Sequence, residues 1–423
     1  MIPGYYDSPW PCEDGGPKRQ ATVRGLPSLD VSKQTVVEVN SREAVAATMV
    51  LLRDEGEVFL HGQTLGSSVT SWVEKIDPQT LSPTHRSPDL EAGPFWPGGV
   101  LIHQNGDIYV TCGRWCHRLD PECHVVTSVE LPRERPYNSL LALPDGSLIM
   151  KDQVRDGSGP SRLVVLDPDG LEMTCGEVDC PEGVVARLSA DGETVYVVGT
   201  NSVFRYRWNR HALSLELDDL WRVEYLTRPD QSYGWDPVIA GGCLWFMDNG
   251  DHRFSGTMRG AGVAQGAVHL YRAPIEGGHE GAFEQVAVSG LPAGSITNPP
   301  LYDEDRGIAI GFDSANGTLA AWRLVEGESA ARDGKKLESS WEMSLATASH
   351  MLLFPGSGEL VVNDHSDSGD SAVVVDIESG SELMRAETTS PIQSVVFPAP
   401  GWDRDFYYCS FARLARVVVG EVN

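Results

Sequence analysis

Positive charge is what this chain has least of. Its 33 Lys and Arg stand against 60 Asp and Glu, a formal net charge of −27 over 423 residues. Nucleic acids and anionic membranes are held by basic surface, so neither is an expected partner. Long apolar runs are missing too: none approaches the ~18 residues of a spanning helix, and no basic-then-apolar leader follows Met1. The eight cysteines are scattered, which excludes a disulfide framework and leads us to expect free thiols in a cytoplasmic protein. Sustained helical periodicity is lacking, so an all-β chain is expected. There is no G-x-S-x-G element to serve as the nucleophile of an α/β-hydrolase. Cys112, Cys116, Cys123 and His117 match no standard zinc spacing. Met258–Ala267 is glycine-rich but has neither the preceding strand nor the following helix of a dinucleotide site.

What the chain does have is repetition. Eight times an apolar segment runs into a glycine-marked turn and a second apolar segment follows: Thr48–Gly62, Gly98–Gly113, Asn138–Asp152, Val184–Gly199, Asp236–Gly250, Asn298–Asp313, His350–Asp364 and Gln393–Ser410. The turn glycines (Gly56, Gly106, Gly146, Gly192, Gly242, Gly307, Gly358 and Gly401) recur every ~40–65 residues, the period of a propeller blade. Asn105-Gly106, Asp145-Gly146 and Asp191-Gly192 read as two-residue hairpin turns, because their residues tolerate positive φ. An outer hairpin follows several of these units, at Trp72–Leu81, Cys116–Val126, Arg162–Met173 and Ala372–Leu383. Two hairpins make one four-stranded blade.

The last unit is one strand short, with only Ala412–Gly420 left after its inner pair, while Gln34–Asn40 is a strand without a hairpin partner. Joining them closes the ring and removes two sheet edges at once. The expected architecture is therefore a single eight-bladed β-propeller over residues 34–423, with a seven-bladed ring plus an extra sheet as the alternative. Residues 1–33 lie outside the repeat but carry Tyr5, Tyr6, Trp10 and Cys12, too many large apolar side chains for a disordered tail; they are expected to pack on the ring.

In a propeller the innermost strands line a central channel, and the loops leading into them share one face with the loops leaving the second strands. Counting back from each turn glycine places Thr48, Gly98, Asn138, Val184, His350 and Gln393 at equivalent inlet positions, with Asp236 and Asn298 nearby. The outgoing loops add His61, Arg114, Lys151 and Asp152, then Asp248, Asn249, Asp251 and His252, then Asp313, and finally Asn363, Asp364, His365 and Asp367. Carboxylates and amides gathered this way suit calcium or magnesium, and added imidazoles suit zinc, manganese or iron. Asp236, Asn298, Asp248 and Asp313 are the candidate metal ligands. His350, His252 and His365 are the candidate acid–base groups, histidine being the side chain that titrates near neutrality. Asn138, Lys151, Asp152, Arg114 and Gln393 are candidate substrate contacts. Against this stands a plainer reading: Asp, Asn, His and Gly are also the commonest turn residues for backbone reasons alone. The segment Asp364–Asp370 looks like a calcium loop but lacks the distal Glu.

The DPxT and DPDG outer turns and the PDGxL inner turns resemble the propeller group that includes quinoprotein-like, strictosidine synthase-like and gluconolactonase-like proteins. Asp376–Leu383 is similar to the tail of a quinoprotein repeat, but an adjacent cysteine pair and regular tryptophan-bearing repeat endings are missing, so no pyrroloquinoline quinone is expected. Gluconolactonase-like proteins hold a divalent metal with Glu, Asn and Asp; Asn138, Glu182, Asp236 and Asn298 offer a similar set. The convergence of polar loops, with this resemblance beside it, leads us to expect a small-molecule enzyme, hydrolase- or lactonase-like or lyase-like, with a polar site at the channel mouth that could hold a divalent metal. Two other readings are a scaffold propeller, presenting Phe95, Trp96, Tyr233 and Trp235 to a protein partner, and a histidine-ligated iron oxygenase using His61, His252, His350 and His365.

Overall fold

The structure is a computed structural model and describes all residues except 67–68, 155–157, 252–256, 258–261, 277–281 and 422–423. Val, Ile, Leu and aromatic residues in runs of about five form antiparallel strands that assemble into eight sheets. Numbered along the chain, blades 1 to 7 cover residues 47–86, 99–130, 137–179, 189–224, 238–287, 301–344 and 352–390. Each has four strands in sequence order, and blade 1 carries a short fifth, Leu90–Glu91. Blade 8 is composite: Ala399–Pro400, Asp405–Cys409 and Arg413–Glu421 are completed by Thr35–Glu43 as the outermost strand. The closing pair runs antiparallel, with Val37 opposite Val419 and Val39 opposite Val417. The ring is thus eight-bladed, and the strand from the N-terminal side closes it.

The inner turns differ in detail from the two-residue reading. At Asn105-Gly106 and Asp145-Gly146 the flanking residues are His103 with Asp107 and Leu143 with Ser147, each pair hydrogen-bonded, so the loops have three residues. The glycines sit third, at φ of 89° and 92°. A type I turn followed by a left-handed glycine matches the strand twist as well as a tight turn does. In blade 4 the turn is Gly192-Glu193, one residue later than expected, between the paired Asp191 and Thr194.

The segment before the ring fills the channel. Trp10, Cys12, Tyr5 and Leu29 are buried. Innermost strands offer unpaired N–H groups to the channel, and this segment supplies acceptors for them. Leu52 N donates to Trp10 O (3.0 Å), Ile102 N to Pro11 O (2.7 Å), Ala190 N to Pro17 O (2.8 Å), Ile239 N to Lys18 O (2.9 Å) and Leu353 N to Ala21 O (2.8 Å). Ala142 N donates to the Tyr5 hydroxyl at 3.0 Å. Gln20 Nε2 donates to Glu304 at 3.0 Å and Arg404 Nε to Leu29 O at 2.8 Å. Every one of the eight blades is therefore tied to residues 4–30 by a contact beside its inner hairpin turn. The opposite, inlet end of the channel is where the candidate side chains lie. Among the described residues no helix is long and apolar enough to cross a membrane, and all eight cysteines are free.

Candidate small-molecule site in the channel

A short 3-10 turn, Glu13–Gly15, projects two carboxylates into the ring, with Asp14 at a left-handed φ of 55°. Both are buried and face Arg19, which is buried too: NH2 reaches Glu13 Oε1 at 2.6 Å and NH1 reaches Asp14 Oδ2 at 3.1 Å. Burial alone would lower the basicity of Arg19; the charges of Glu13, Asp14 and Asp236 more than offset this and raise it. From the segment leading into blade 4, Arg187 NH1 reaches Glu13 Oε2 at 2.8 Å and Gly98 O at 2.6 Å, and NH2 reaches Pro97 O at 2.7 Å. Its guanidinium lies 4.8 Å above the Phe397 ring, and the same ring lies 3.8 Å from the imidazole of His350.

His350 is brought to this cluster by its inlet position. Its Nδ1 lies 2.9 Å from Asp14 Oδ1. Burial pushes the Asp14 carboxyl up, but His350 and Arg19 outweigh it and hold Asp14 below the usual range. Asp14 is therefore an acceptor, and Nδ1–H of His350 donates to it. A carboxylate on Nδ1 fixes the ring and leaves Nε2 for proton transfer, the arrangement of an oriented acid–base histidine.

Three neighbours present polar atoms that have no hydrogen-bond partner in the described structure. Asp236 is fully buried; its Oδ1 accepts from Arg187 N at 2.6 Å, while Oδ2 has no hydrogen bond and sits 3.8 Å from Arg187 Nε. His61 is buried with Nδ1 2.9 Å from Thr48 Oγ1, and its Nε2 is unsatisfied. Burial, then the charge of Arg187, drives the His61 pKa down to about 3, so the ring is neutral. Asn138 donates through Nδ2 to Val185 O at 3.3 Å and leaves Oδ1 unsatisfied. Opposite it in the hairpin register, Lys151 is fully buried, with Nζ 3.2 Å from both Val184 O and Val185 O. Asn138, Lys151, Arg187 and Asp236 thus gather around the segment Val184–Leu188 that leads into blade 4.

The other candidates belong elsewhere. Asp248 has its own donors, Arg228, Gln231 (2.9 Å), Tyr271 (3.1 Å) and His269 N (2.7 Å); burial raises its pKa to about 6. Asp313 is saturated by Ser289, Ser295 N and Asn316. Asn298 ties two blades through Ala348 O and Val395 O, and Gln393 donates to Ala346 O while accepting from Thr257. Asp152 is held by Arg135 and by Arg162 N. His365 lies 3.7 Å from Asp370, a separate pair. Arg114 pairs with Glu130 at 3.3 Å and lines a rim groove of about 630 Å³ with Phe95 and Trp115. His252, and most of the long loop that carries it, lies outside the described residues.

Asp236, Asn298, Asp248 and Asp313 therefore sit in different hydrogen-bond networks. Among the described residues no group of three or more His, Cys, Asp or Glu is placed to hold a metal ion. A hard cation needs several oxygens on one point, and this donor set does not fit one. Asn249 and Asn363 work as loop staples, accepting from Ser232 N (3.0 Å) and from Ala348 N (2.8 Å) and Ser349 N (3.0 Å).

Glu13, Asp14, Arg19 and Phe397 were not among the expected site residues, and neither was Arg187. Only Arg187 carries a local signal: it is a charged residue inside the apolar run Val184–Leu188.

No family model and no curated protein matches the chain. Solved structures do, at low identity. A 6-phosphogluconolactonase described as putative, from Bacteroides fragilis NCTC 9343, is 12% identical with a TM-score of 0.48, over 84% of this chain and 88% of that one. Chaetomium thermophilum Sqt1, bound to the N-terminus of the ribosomal protein L10, is 10% identical with a TM-score of 0.50, over 87% and 94%. A streptogramin B lyase is 11% identical with a TM-score of 0.45, over 92% and 100%. At these identities the likenesses show the β-propeller fold alone.

Proposed function

We propose that the inlet end of the channel binds a polar small molecule above the N-terminal plug and acts on it by hydrolase- or lyase-like acid–base chemistry. One observation carries the reading: His61 Nε2, Asn138 Oδ1 and Asp236 Oδ2 are buried around Arg187 without hydrogen-bond partners. Each unsatisfied buried polar atom costs about 1–3 kcal/mol, and a ligand rich in hydroxyl or amino groups would relieve that cost. His350, oriented by Asp14, is the acid–base group: its Nε2 takes a proton from an attacking water or from the carbon next to a carbonyl. Arg187 is the cation for the oxyanion that develops.

The test is a thermal-shift screen of sugar lactones, polyols and amino sugars on the wild-type chain and on Asn138→Leu, followed by turnover assays of any hit with His350→Gln. A hit that stabilises wild type but not Asn138→Leu, and whose turnover falls by ~100-fold or more in His350→Gln, supports the reading. Hits that stabilise both proteins equally, with turnover unchanged in His350→Gln, would sink it. A second reading, a scaffold for a protein partner, is favoured by Val45, Leu65 and Phe95, exposed by 45%, 60% and 42% on the rim of blades 1 and 2.

A further inference from the structure

Lysine is rare in this chain, with six residues at positions 18, 33, 75, 151, 335 and 336. Three of the others hold carboxylates: Lys18 with Asp191 at 2.9 Å, Lys75 with Glu57 at 2.6 Å and Lys336 with Glu338 at 2.7 Å. Lys33 and Lys335 are exposed. Lys151 alone is fully buried, and its Nζ meets main-chain carbonyls and no carboxylate among the described residues. The carboxylate next to it in sequence is taken by Arg135 and Arg162 N.

We propose that Lys151 binds ligand covalently: its Nζ, opposite Asn138 in the hairpin register and sharing the Val185 carbonyl with the Asn138 amide, forms an imine with a ligand that carries an aldehyde or ketone. This rests on the channel site proposed above and adds to it the chemical class of ligand. The amine lone pair attacks the carbonyl carbon and a C–N bond forms. The carbonyl oxygen then leaves as water, carrying away both hydrogens of the amine, and a C=N bond remains. No oxidant or metal is consumed. Asn138 Oδ1 accepts from the carbinolamine hydroxyl on the way.

The amine is suited to this at neutral pH. Burial, which disfavours its charge, is the largest influence and brings its pKa down to about 7, although Asp152 and Asp236 push the other way. Arg187 lowers it further. The facing Cys180 would raise it only as a thiolate, and burial pushes that thiol up to about 12. About half of such an amine is uncharged at pH 7, against roughly one in a few thousand for an ordinary lysine.

The full chain is incubated at pH 7 with glyceraldehyde or pyruvate, reduced with borohydride, digested and mapped by mass spectrometry. The expected result is a reduced adduct on Lys151 at least ten times more abundant than on Lys33 or Lys335, and absent from Lys151→Arg, whose melting temperature shows that it folds. Adducts on Lys33 and Lys335 with an unmodified Lys151 peptide would overturn the proposal. In that case a ligand response in the thermal-shift screen that still depends on Asn138 would leave the non-covalent site standing. Labelling of Lys151 without any such response would support the imine and remove the other reading.

Discussion

Arg19 shows most directly how the channel chemistry depends on single side chains. It has no solvent exposure and faces two carboxylates that are also buried. Removing one partner of a buried ion pair leaves the other uncompensated, at a cost of about 3–5 kcal/mol. Arg19→Met is expected to lose up to that much in chemical denaturation, moderated because Arg187 still holds Glu13 and His350 still holds Asp14, while Arg19→Lys, which keeps the charge, loses less. An Arg19→Lys variant as unstable as Arg19→Met would contradict the charge argument. His61 makes a second prediction at this scale. Its folded pKa, about 3, lies below the ordinary histidine value of 6.5. The unfolded chain therefore binds a proton there that the folded chain refuses; the stability is complete above the unfolded value and is lost as pH falls through the folded one. Between about pH 6 and pH 4, His61→Gln is expected to flatten the loss of stability by one proton, about 1.4 kcal/mol per pH unit. An unchanged slope would show that the imidazole titrates normally.

At the scale of elements, the segment 4–30 is the part that repeat logic could not place. The strands were legible because apolar runs and turn glycines recur in register along the chain. The exact turns were less so, because Asn-Gly and Asp-Gly serve both two- and three-residue loops, as at Gly106 and Gly146. The plug leaves no periodic trace at all: Asp14 meets His350 across 336 residues of sequence, and no local pattern encodes that contact. That Asn138, Asp236 and His350 point polar side chains into the channel was legible, because their inlet positions interrupt apolar runs with polar residues. The partners of Asp313 and Asn363 were not legible, because Asp and Asn also accept from main-chain N–H groups of loops, here Ser295 and Asn316 for Asp313 and Ala348 and Ser349 for Asn363. The plug has a testable consequence for the strands it caps. Deleting residues 1–31 leaves the N–H groups of Leu52, Ile102, Ala190, Ile239 and Leu353 without their acceptors. These five amides are expected to exchange hydrogen at least ~100-fold faster in the truncated ring than in the full chain, with a synthetic 1–31 peptide restoring protection. Unchanged protection in the truncated ring would mean that the inner strands need no plug.

For the whole molecule, two kinds of electrostatics act in opposite places. The surface carries most of a net charge of −27, so the folded ring repels itself. The channel network is shielded from bulk solvent, with Glu13, Asp14, Arg19 and Asp236 almost wholly buried. Salt separates the two. At about 0.5 M the screening length falls to a few ångströms, which quenches repulsion between exposed carboxylates but barely touches pairs already in contact and out of water. Raising NaCl from about 20 mM to about 500 mM is therefore expected to raise the melting temperature of the wild-type ring by several degrees. The gap between wild type and Arg19→Met should stay constant to within about 1 °C, because the lost pairs lie inside the ring. If the gap closed with salt, the plug network would have to be open to solvent, and the channel would be wetter than its burial implies. If wild type melted lower in salt, exposed pairs such as Arg162–Asp179 would outweigh the net repulsion.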